Sequence, residues 1–232
     1  MKKKITAVFF DLDGTLVDHF QAIHRCYCEV LAQFGRKPMA FEELKKHIGP
    51  PLRQTVQEFL GDGGTDHCVD DFCARFRRLM LDTFSEGLAE LPGARWILRS
   101  LRQAGYRTAL FTNKQRVYAE KICAFCGFSG DLDALVATDP GPDAPKKPEL
   151  RYAQIAFRTL GVAPEQSVLV GDSETDFFAA RAGNFAHCYL LTTGTHGAGE
   201  LIAVGAGKED IFPDLRTLGK VVFGLRSEEE MS

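Results

Sequence analysis

Short apolar runs alternate with helical patterns over most of the sequence, and this alternation constrains the possible folds more than any other feature. The runs that predict strands are residues 5–10, 106–111, 134–137, 167–170 and 187–191, and those that predict the intervening helices are residues 94–103, 117–125, 149–160 and 176–182. Strands joined by helices of this length form a parallel sheet with helices on both faces. The sequence therefore predicts an α/β fold built on a doubly wound parallel sheet.

The long segment between the first two predicted strands has a different pattern. Apolar residues recur at helical spacing in residues 20–34, 52–60 and 69–84. No strand pattern is visible between Val17 and Leu91. We therefore expect an all-helical domain at residues 18–90, inserted into a discontinuous core of residues 1–17 and 91–232.

Charge and hydropathy argue against nucleic-acid and membrane partners. The chain carries 28 Lys and Arg against 31 Asp and Glu, so it has no broad basic surface for nucleic acid. Its apolar runs are far shorter than the roughly 20 residues of a membrane helix. The basic start at residues 1–4 precedes an apolar run that is shorter than the roughly 7–15 residues of a signal-peptide core. We expect a cytoplasmic protein that acts on a small molecule, as a monomer or a weak homodimer.

The seven cysteines are an odd number scattered through apolar surroundings. Without an export signal we expect them to be reduced and mostly buried. Cys123 and Cys126 have the C-x-x-C spacing of some metal and redox sites. No second pair with this spacing accompanies them, and they fall late in a predicted helix. Packing in the core is the favoured interpretation.

Acidic residues follow two of the predicted strands at the point where each strand ends. Asp11 and Asp13 leave the first strand, and Asp172 and Asp176 span the end of the fourth strand and the start of the next helix. Ligands of parallel sheets bind beyond the carboxyl ends of the strands, so we expect these four carboxylates to converge. Four neighbouring acids need a cation, and hard oxygen ligands suit Mg²⁺.

Two other segments supply groups that suit an anion. Thr112 and Asn113 follow the second strand, where a hydroxyl and main-chain N–H groups at a helix start can bind an anion. The same residue types are also good helix caps. Lys146 and Lys147 lie in a proline-rich loop ahead of a predicted helix. Each feature is weak alone, and their shared position at strand ends favours a phosphate site.

These residues resemble the four motifs of the haloacid dehalogenase superfamily, in the superfamily's order. The matching segments are Asp11-Leu12-Asp13-Gly14-Thr15, Thr112-Asn113, Lys147-Pro148 and Gly171 through Asp176, and the resemblance extends from Val8 to about Leu201. Residues 18–90 resemble the family's first-position α-helical cap. Residues 10–17, 91–93 and 171–173 most resemble phosphoglycolate-phosphatase-like enzymes. The resemblance implies a Rossmannoid core with a cap, and a phosphatase for a small phosphate monoester, with 2-phosphoglycolate as the first candidate.

The resemblance also implies catalytic roles. Asp11 would be the nucleophile that forms an aspartyl-phosphate, and Asp13 would be the general acid and then the general base. Lys147 would neutralise Asp11 and the transferring group. Thr112 would hydrogen-bond a phosphoryl oxygen.

Binding roles follow from the same resemblance. The residues whose main-chain N–H groups would assist phosphate binding are Gly14, Thr15 and Asn113. Magnesium would be held by the Asp11 carboxylate, the Asp13 main-chain carbonyl and Asp172. Asp176 would either orient Lys147 or support the metal.

Several positions depart from the family's pattern or bear on specificity. Leu150 stands where the third motif usually has a second proline, and Lys146 leaves the choice of catalytic lysine one residue open. His19 replaces a common serine. Residues 49–52 match a loop that lowers cap residues onto the substrate in many relatives. Arg53, just after it, is the cation that we expect at the far end of the substrate, the alternative being an ordinary surface arginine.

Single residues argue for or against each alternative function. Asp13 argues against a dehalogenase and against a phosphonate hydrolase, since both lack this second aspartate. A sugar phosphomutase usually has a histidine twelve residues after the nucleophile, where this chain has Ile23, with His24 one step away. A phosphate-responsive receiver module would have neither the helical insertion nor Asp13. Hydrolysis is favoured, with the phosphomutase and the binding module as alternatives.

Overall fold

The chain divides into two compact units. One comprises residues 1–18 and 90–232, and the other comprises residues 19–89. The computed structural model describes residues 4–45, 48, 52–61, 64–139, 141 and 143–226.

The larger unit alternates strands and helices. Its strands are β1 (Ala7–Phe10), β4 (Arg107–Gln115), β5 (Ala134–Thr138), β6 (Ser167–Gly171), β7 (His187–Leu191) and β8 (Ile211–Phe212). Its helices are α5 (Ala94–Gln103), α6 (Arg116–Phe125), α7 (Leu150–Leu160), α8 (Glu174–Ala182), α9 (Ala198–Ala203) and α10 (Leu215–Phe223). Short strands β2 (Val17–Asp18) and β3 (Ala89–Glu90) form a separate two-stranded sheet.

Strand β1 and strands β4 to β8 form one parallel sheet, in the order β5-β4-β1-β6-β7-β8. Strand β1 is central, and Phe10 lies opposite Leu110 of β4 and Val170 of β6. Residues 11, 111 and 171 therefore lie at the same level, one residue beyond this pairing. The chain order reverses beside β1, which is where ligands of such sheets bind. The predicted α/β parallel-sheet class is confirmed.

Aromatic packing buries one face of this sheet. Phe9 makes edge-on contacts with Phe111, Phe157 and Phe185, with ring centroids 6.3, 5.8 and 5.5 Å apart. All four residues of β1 are fully buried. Edge-on aromatic pairs add stabilisation beyond the buried apolar area, so the strand that leads into Asp11 is firmly held.

The smaller unit consists of helices α1 (Phe20–Gln33), α2 (Phe41–Lys45), α3 (Leu52–Leu60) and α4 (Asp66–Asp82) in the described part of residues 19–89. Tyr27 of α1 packs against Phe76 and Phe72 of α4 and Phe59 of α3. The Thr65 side chain accepts the Cys68 N–H and begins α4. These helices share one aromatic core.

The structure corrects the predicted elements in four places. The strand expected at 106–111 continues to Gln115, and helix α8 begins at Glu174 rather than 176. Strand β3 lies within the segment that showed no strand pattern, because two residues are too few for alternation to be visible. The sequence reading also missed β8 and the helices after residue 191, since these elements are short.

All seven cysteines are free, four of them buried and three partly buried. Burial raises the pKa of Cys123 to about 12 and the pKa of Cys126 to about 11. Both thiols therefore stay protonated at neutral pH, and the interpretation of this pair as core packing is confirmed. In the described part of the chain no helix has the length and hydropathy of a membrane span.

Candidate active site

Three carboxylates converge at the carboxyl edge of β1 and β6. Asp11, Asp172 and Asp176 each place one oxygen within 4.8 Å of the others. Asp172 and Asp176 are buried, and the Asp11 side chain is 15% exposed. Charges that are removed from water need partners nearby. The predicted convergence is therefore observed for three of the four acids.

Lys147 supplies one positive charge to this cluster. Its Nζ lies 3.1 Å from Asp11 Oδ1 and 2.6 Å from Asp176 Oδ1, and its side chain is 1% exposed. Burial by itself lowers the pKa of Lys147, but Asp11 and Asp176 together raise it above its usual value. The ammonium therefore stays charged. Lys146 is only partly buried, so the geometry selects Lys147 of the two lysines.

The acids outnumber that one cation, and their pKa values reflect it. Burial raises the pKa of Asp11 to about 6, against the opposing effect of Lys147. Burial, together with Asp176 and Asp11, raises the pKa of Asp172 well above its usual value. In both residues the carboxylate form lacks stabilisation that an additional cation would supply.

Both carboxylate oxygens of Asp176 accept hydrogen bonds from neighbouring groups. Oδ1 accepts the Lys147 ammonium, while Oδ2 accepts the main-chain N–H of Asp172 at 3.3 Å and that of Ser173 at 3.2 Å. The Ser173 hydroxyl donates to Oδ2 as well, at 2.7 Å. Asp176 therefore contacts both Lys147 and the turn between β6 and α8, while it also belongs to the three-acid cluster.

Asp172 is held from two loops. Its Oδ1 accepts the Thr15 hydroxyl at 3.3 Å, and its Oδ2 accepts the Thr195 main-chain N–H at 3.1 Å. Glycines let the backbone approach this carboxylate, because a Cβ at Gly14 would lie 2.6 Å from Asp172 Oδ2 and one at Gly194 would lie 1.7 Å from it. Gly14 also has a φ of +79°, which disfavours other residues.

The cluster has the properties of a cation site. Asp11 Oδ1 is buried, and the described residues offer it no hydrogen bond of ordinary geometry although Lys147 Nζ is 3.1 Å away. Three carboxylates around one ammonium leave an excess of negative charge when all are ionised. The donors are hard oxygens, which suit Mg²⁺. The residues present therefore fit a bound divalent cation.

Asp13 lies apart from the three-acid cluster. Its carboxylate accepts both hydrogen bonds of a fork from Lys114 Nζ, at 2.7 and 3.0 Å. Lys114 follows Thr112 and Asn113 on the extension of β4 that the sequence did not predict. Sequence reasoning gave Lys114 no role, and its place directly after two candidate site residues was the available signal.

The two polar residues of β4 have different partners. The Thr112 hydroxyl lowers the pKa of the Asp11 carboxyl, within the net rise, and it accepts the Lys114 N–H at 3.2 Å. The Asn113 side chain instead bonds the main chain of Lys147, where Oδ1 accepts the N–H at 2.6 Å and Nδ2 donates to the carbonyl at 3.1 Å. The Asn113 side chain therefore fixes the loop that carries the buried lysine.

Arg53 belongs to the smaller unit. Its guanidinium pairs with Asp66, at 2.6 Å, and with Asp70. Its side chain is 42% exposed. His19 is fully buried there, with Nε2 2.7 Å from the Phe84 carbonyl oxygen. Residues 49–51 of the proposed substrate loop lie outside the described residues.

Known proteins match most of this chain. Residues 8–189 match the model of the haloacid dehalogenase-like hydrolase family. The chain belongs to that family.

Curated relatives extend the match within this hydrolase family. The plasmid phosphoglycolate phosphatase of Cupriavidus necator is 37% identical over 203 residues, which cover 87% of this chain and 87% of that protein. The phosphoglycolate phosphatase of Pseudomonas putida is 33% identical over 196 residues, or 82% of this chain and 71% of that protein. The predicted enzyme class, a phosphatase, is confirmed.

A solved structure shares the fold of this haloacid dehalogenase-like hydrolase. It is a hydrolase of the haloacid dehalogenase-like family from Streptococcus pneumoniae, with a TM-score of 0.80 and 22% identity. The match covers 95% of this chain and 98% of that chain.

The loop after β7 was missed as part of the site of this hydrolase. Thr195 bonds Asp172, and the Thr193 hydroxyl donates to the Gly14 carbonyl at 2.7 Å. Thr193 and Thr195 lie beyond the part of the chain that matches the family model. Glycine between two threonines after a strand was the only signal in the sequence.

Proposed function

We propose that this phosphatase hydrolyses a small phosphate monoester through an aspartyl-phosphate formed on Asp11. One observation carries the proposal: Asp11 has a buried oxygen without an ordinary hydrogen bond, beside a lysine that is itself buried. A carboxylate oxygen that lies beside a cation, yet holds no ordinary hydrogen bond of its own, can attack an electrophile. The same cation can receive the charge of the phosphoryl group.

The reaction divides between Asp11 and Asp13. Asp11 forms a bond to phosphorus as the bond to the ester oxygen breaks, and Asp13 gives its proton to that departing oxygen. Water then attacks phosphorus, Asp13 takes a proton from it, and inorganic phosphate and the Asp11 carboxylate are released. Thr112 and the main-chain N–H groups of Gly14, Thr15 and Asn113 would hold the phosphoryl oxygens.

Magnesium is the proposed cofactor. Asp11, Asp172 and the main-chain carbonyl of Asp13 would hold it, with Asp176 keeping Lys147 in place beside them. When bound, the ion would neutralise phosphoryl oxygens and the excess charge of the acids. The buried, under-bonded oxygen of Asp11 supports this assignment.

2-Phosphoglycolate is the first candidate substrate, because the two curated relatives described above are phosphoglycolate phosphatases. We propose that residues 18–90 act as a cap domain and that Arg53 contacts the substrate's carboxylate. A cytoplasmic location and a monomeric or weakly dimeric state remain predictions.

A panel of phosphorylated metabolites, assayed with Mg²⁺ and with EDTA, tests the function. We expect 2-phosphoglycolate to give the highest kcat/KM and EDTA to abolish turnover. Denaturing the enzyme during turnover of ³²P-labelled substrate should trap label on the wild type and not on Asp11→Asn. Asp82→Asn, on the exposed surface of α4, is the matched control. A wild type that turns over substrate without ever trapping label would contradict the aspartyl-phosphate.

A further inference from the structure

Lys114 is a nearly buried lysine that the reaction outlined above does not use. Its side chain is 9% exposed, and Nζ donates to both oxygens of Asp13, whose side chain is 18% exposed. Removing an ammonium from water is costly unless a charged partner compensates it. The pair joins residues 101 positions apart, so the fold itself brings them together.

The extension of β4 is what places this lysine. The pairing of β4 with β5 shifts register between Phe111 and Gln115, and Lys114 lies in the shifted stretch. Its own N–H donates to Thr112 Oγ1 at 3.2 Å. The backbone of Lys114 is therefore fixed beside the phosphate-binding threonine while its side chain spans to the loop after β1.

Two lysines thus pair with three of the four acids at this edge of the sheet. Lys147 forms ion pairs with Asp11 and Asp176, and Lys114 forms one with Asp13. A fork to both oxygens sets the rotation of the Asp13 carboxylate as well as its position. It also keeps Asp13 out of the group formed by Asp11, Asp172 and Asp176.

We propose that Lys114 is a positioning residue that aims the Asp13 carboxyl group at the leaving-group oxygen. The inference rests on the proposed role of Asp13 as the acid that protonates this oxygen. Lys114 acts through Asp13 rather than by binding phosphate. Its importance should therefore depend on how much the leaving group needs a proton.

Two esters with different leaving groups separate these roles. 4-Nitrophenyl phosphate releases a phenolate that is stable without a proton, whereas 2-phosphoglycolate releases an alkoxide unless it is protonated. Loss of general acid catalysis typically costs about 10²–10⁴ in rate. We expect Lys114→Met to lower the single-turnover rate of aspartyl-phosphate formation by at least about tenfold with 2-phosphoglycolate and by less than about threefold with 4-nitrophenyl phosphate, as a partial loss of that catalysis. This rate excludes the later hydrolysis step, in which Asp13 acts as the base with either ester.

A double variant provides the second readout. If Lys114 acts through Asp13, then Asp13→Asn with Lys114→Met should be no slower on 2-phosphoglycolate than Asp13→Asn alone, because the two effects are not independent. The double variant also removes both charges together, so it avoids an unpaired buried charge. Lys114→Arg, which keeps the charge, should lower the aspartyl-phosphate formation rate less than Lys114→Met does, and only on the alkyl ester. Lys220→Met, at an exposed residue of α10, is the control.

The outcomes distinguish this proposal from the function on which it rests. Equal losses of the aspartyl-phosphate formation rate on both esters in Lys114→Met, or in Lys114→Arg if the Met variant does not fold, would overturn the positioning role. Multiplied losses in the double variant would overturn it too. Hydrolysis of neither ester by the wild type would instead overturn the proposed function and this inference with it. The melting-temperature shift caused by Mg²⁺ should be unchanged in Lys114→Met, and loss of the shift would assign Lys114 to the cation site instead.

Discussion

The side-chain amide of Asn113 brackets the main chain of Lys147, accepting its N–H at 2.6 Å and donating to its carbonyl at 3.1 Å. Asn113 lies on β4 and Lys147 in the loop before α7, so the bracket ties a sheet strand to a proline-rich loop. The Lys147 side chain then reaches back to Asp11 and Asp176. A residue that resembles a phosphate ligand by its motif thus also determines where the Lys147 ammonium lies.

Replacement of Asn113 by leucine should impair both stability and catalysis. Two hydrogen bonds are lost, which should lower the free energy of unfolding by about 1–3 kcal/mol. The displaced Lys147 should reduce kcat by about tenfold or more, as a misplaced catalytic group does. Urea unfolding and steady-state kinetics measure the two effects. Asn113→Asp keeps the acceptor for the Lys147 N–H and should fall between wild type and leucine; an unchanged kcat in the leucine variant would contradict the bracket.

Mg²⁺ should stabilise the protein through Asp172. An ion at about one hundred times its Kd stabilises a fold by about 2.7 kcal/mol, so the melting temperature should rise with Mg²⁺. Asp172→Asn should abolish this rise. Differential scanning calorimetry with and without EDTA measures it, and Asp82→Asn should respond like the wild type.

In the metal-free protein, Asp172→Asn should change the melting temperature in the opposite direction. Burial, Asp176 and Asp11 raise the pKa of Asp172, so the folded chain binds this proton more tightly than the unfolded chain does. The stability contribution of such a group is lost as pH rises through the raised pKa. Near neutral pH and without metal, Asp172→Asn should therefore melt at a higher temperature than the wild type. A lower melting temperature would contradict the excess of negative charge.

The sequence was sufficient to predict that Asp11 and Asp172 lie together, because strand ends of a parallel sheet share an edge. It left the choice between Lys146 and Lys147 open, and the burial of Lys147 beside Asp11 decides it. It was insufficient for the pairing of Asp13 with Lys114, which depends on β4 continuing past Thr112 through a register shift. Such a shift leaves no periodic pattern in the sequence.

The partners of the other site residues also required coordinates. Thr195 reaches Asp172 because β7 lies next to β6 in the sheet, and the order of strands is not written in their hydropathy. The bonds from Arg53 to Asp66 and Asp70 join two helices, whose relative rotation depends on packing.

Arg53 should affect binding of the substrate more than its conversion. If its guanidinium contacts the carboxylate of 2-phosphoglycolate, Arg53→Met should raise KM by about tenfold or more, since a hydrogen bond to a charged group is worth about 1.5–3 kcal/mol. The kcat should change little. KM for 4-nitrophenyl phosphate, which has no carboxylate, should stay the same. Arg78→Met, at an exposed residue of α4, is the control. Equal KM values for wild type and Arg53→Met would contradict a contact with substrate and leave Arg53 only as a link between α3 and α4.

Gly194 should tolerate no side chain, for a reason unrelated to backbone conformation. Its φ is outside the left-handed region, but a Cβ would lie 1.7 Å from Asp172 Oδ2 and 2.5 Å from Asp172 Cβ. Since real Cβ atoms do not approach this closely, Gly194→Ala must displace either Asp172 or the loop that carries Thr195. We expect a lower melting temperature, a smaller Mg²⁺-induced rise and a loss of kcat. Gly199 of α9 offers the matched control, because a Cβ there meets nothing within 4 Å, and alanine in a helix is favoured over glycine by about 1 kcal/mol. Gly199→Ala should therefore be neutral or stabilising, and a Gly194→Ala variant that retained its full Mg²⁺ response would show that the loop after β7 does not support the Asp172 carboxylate.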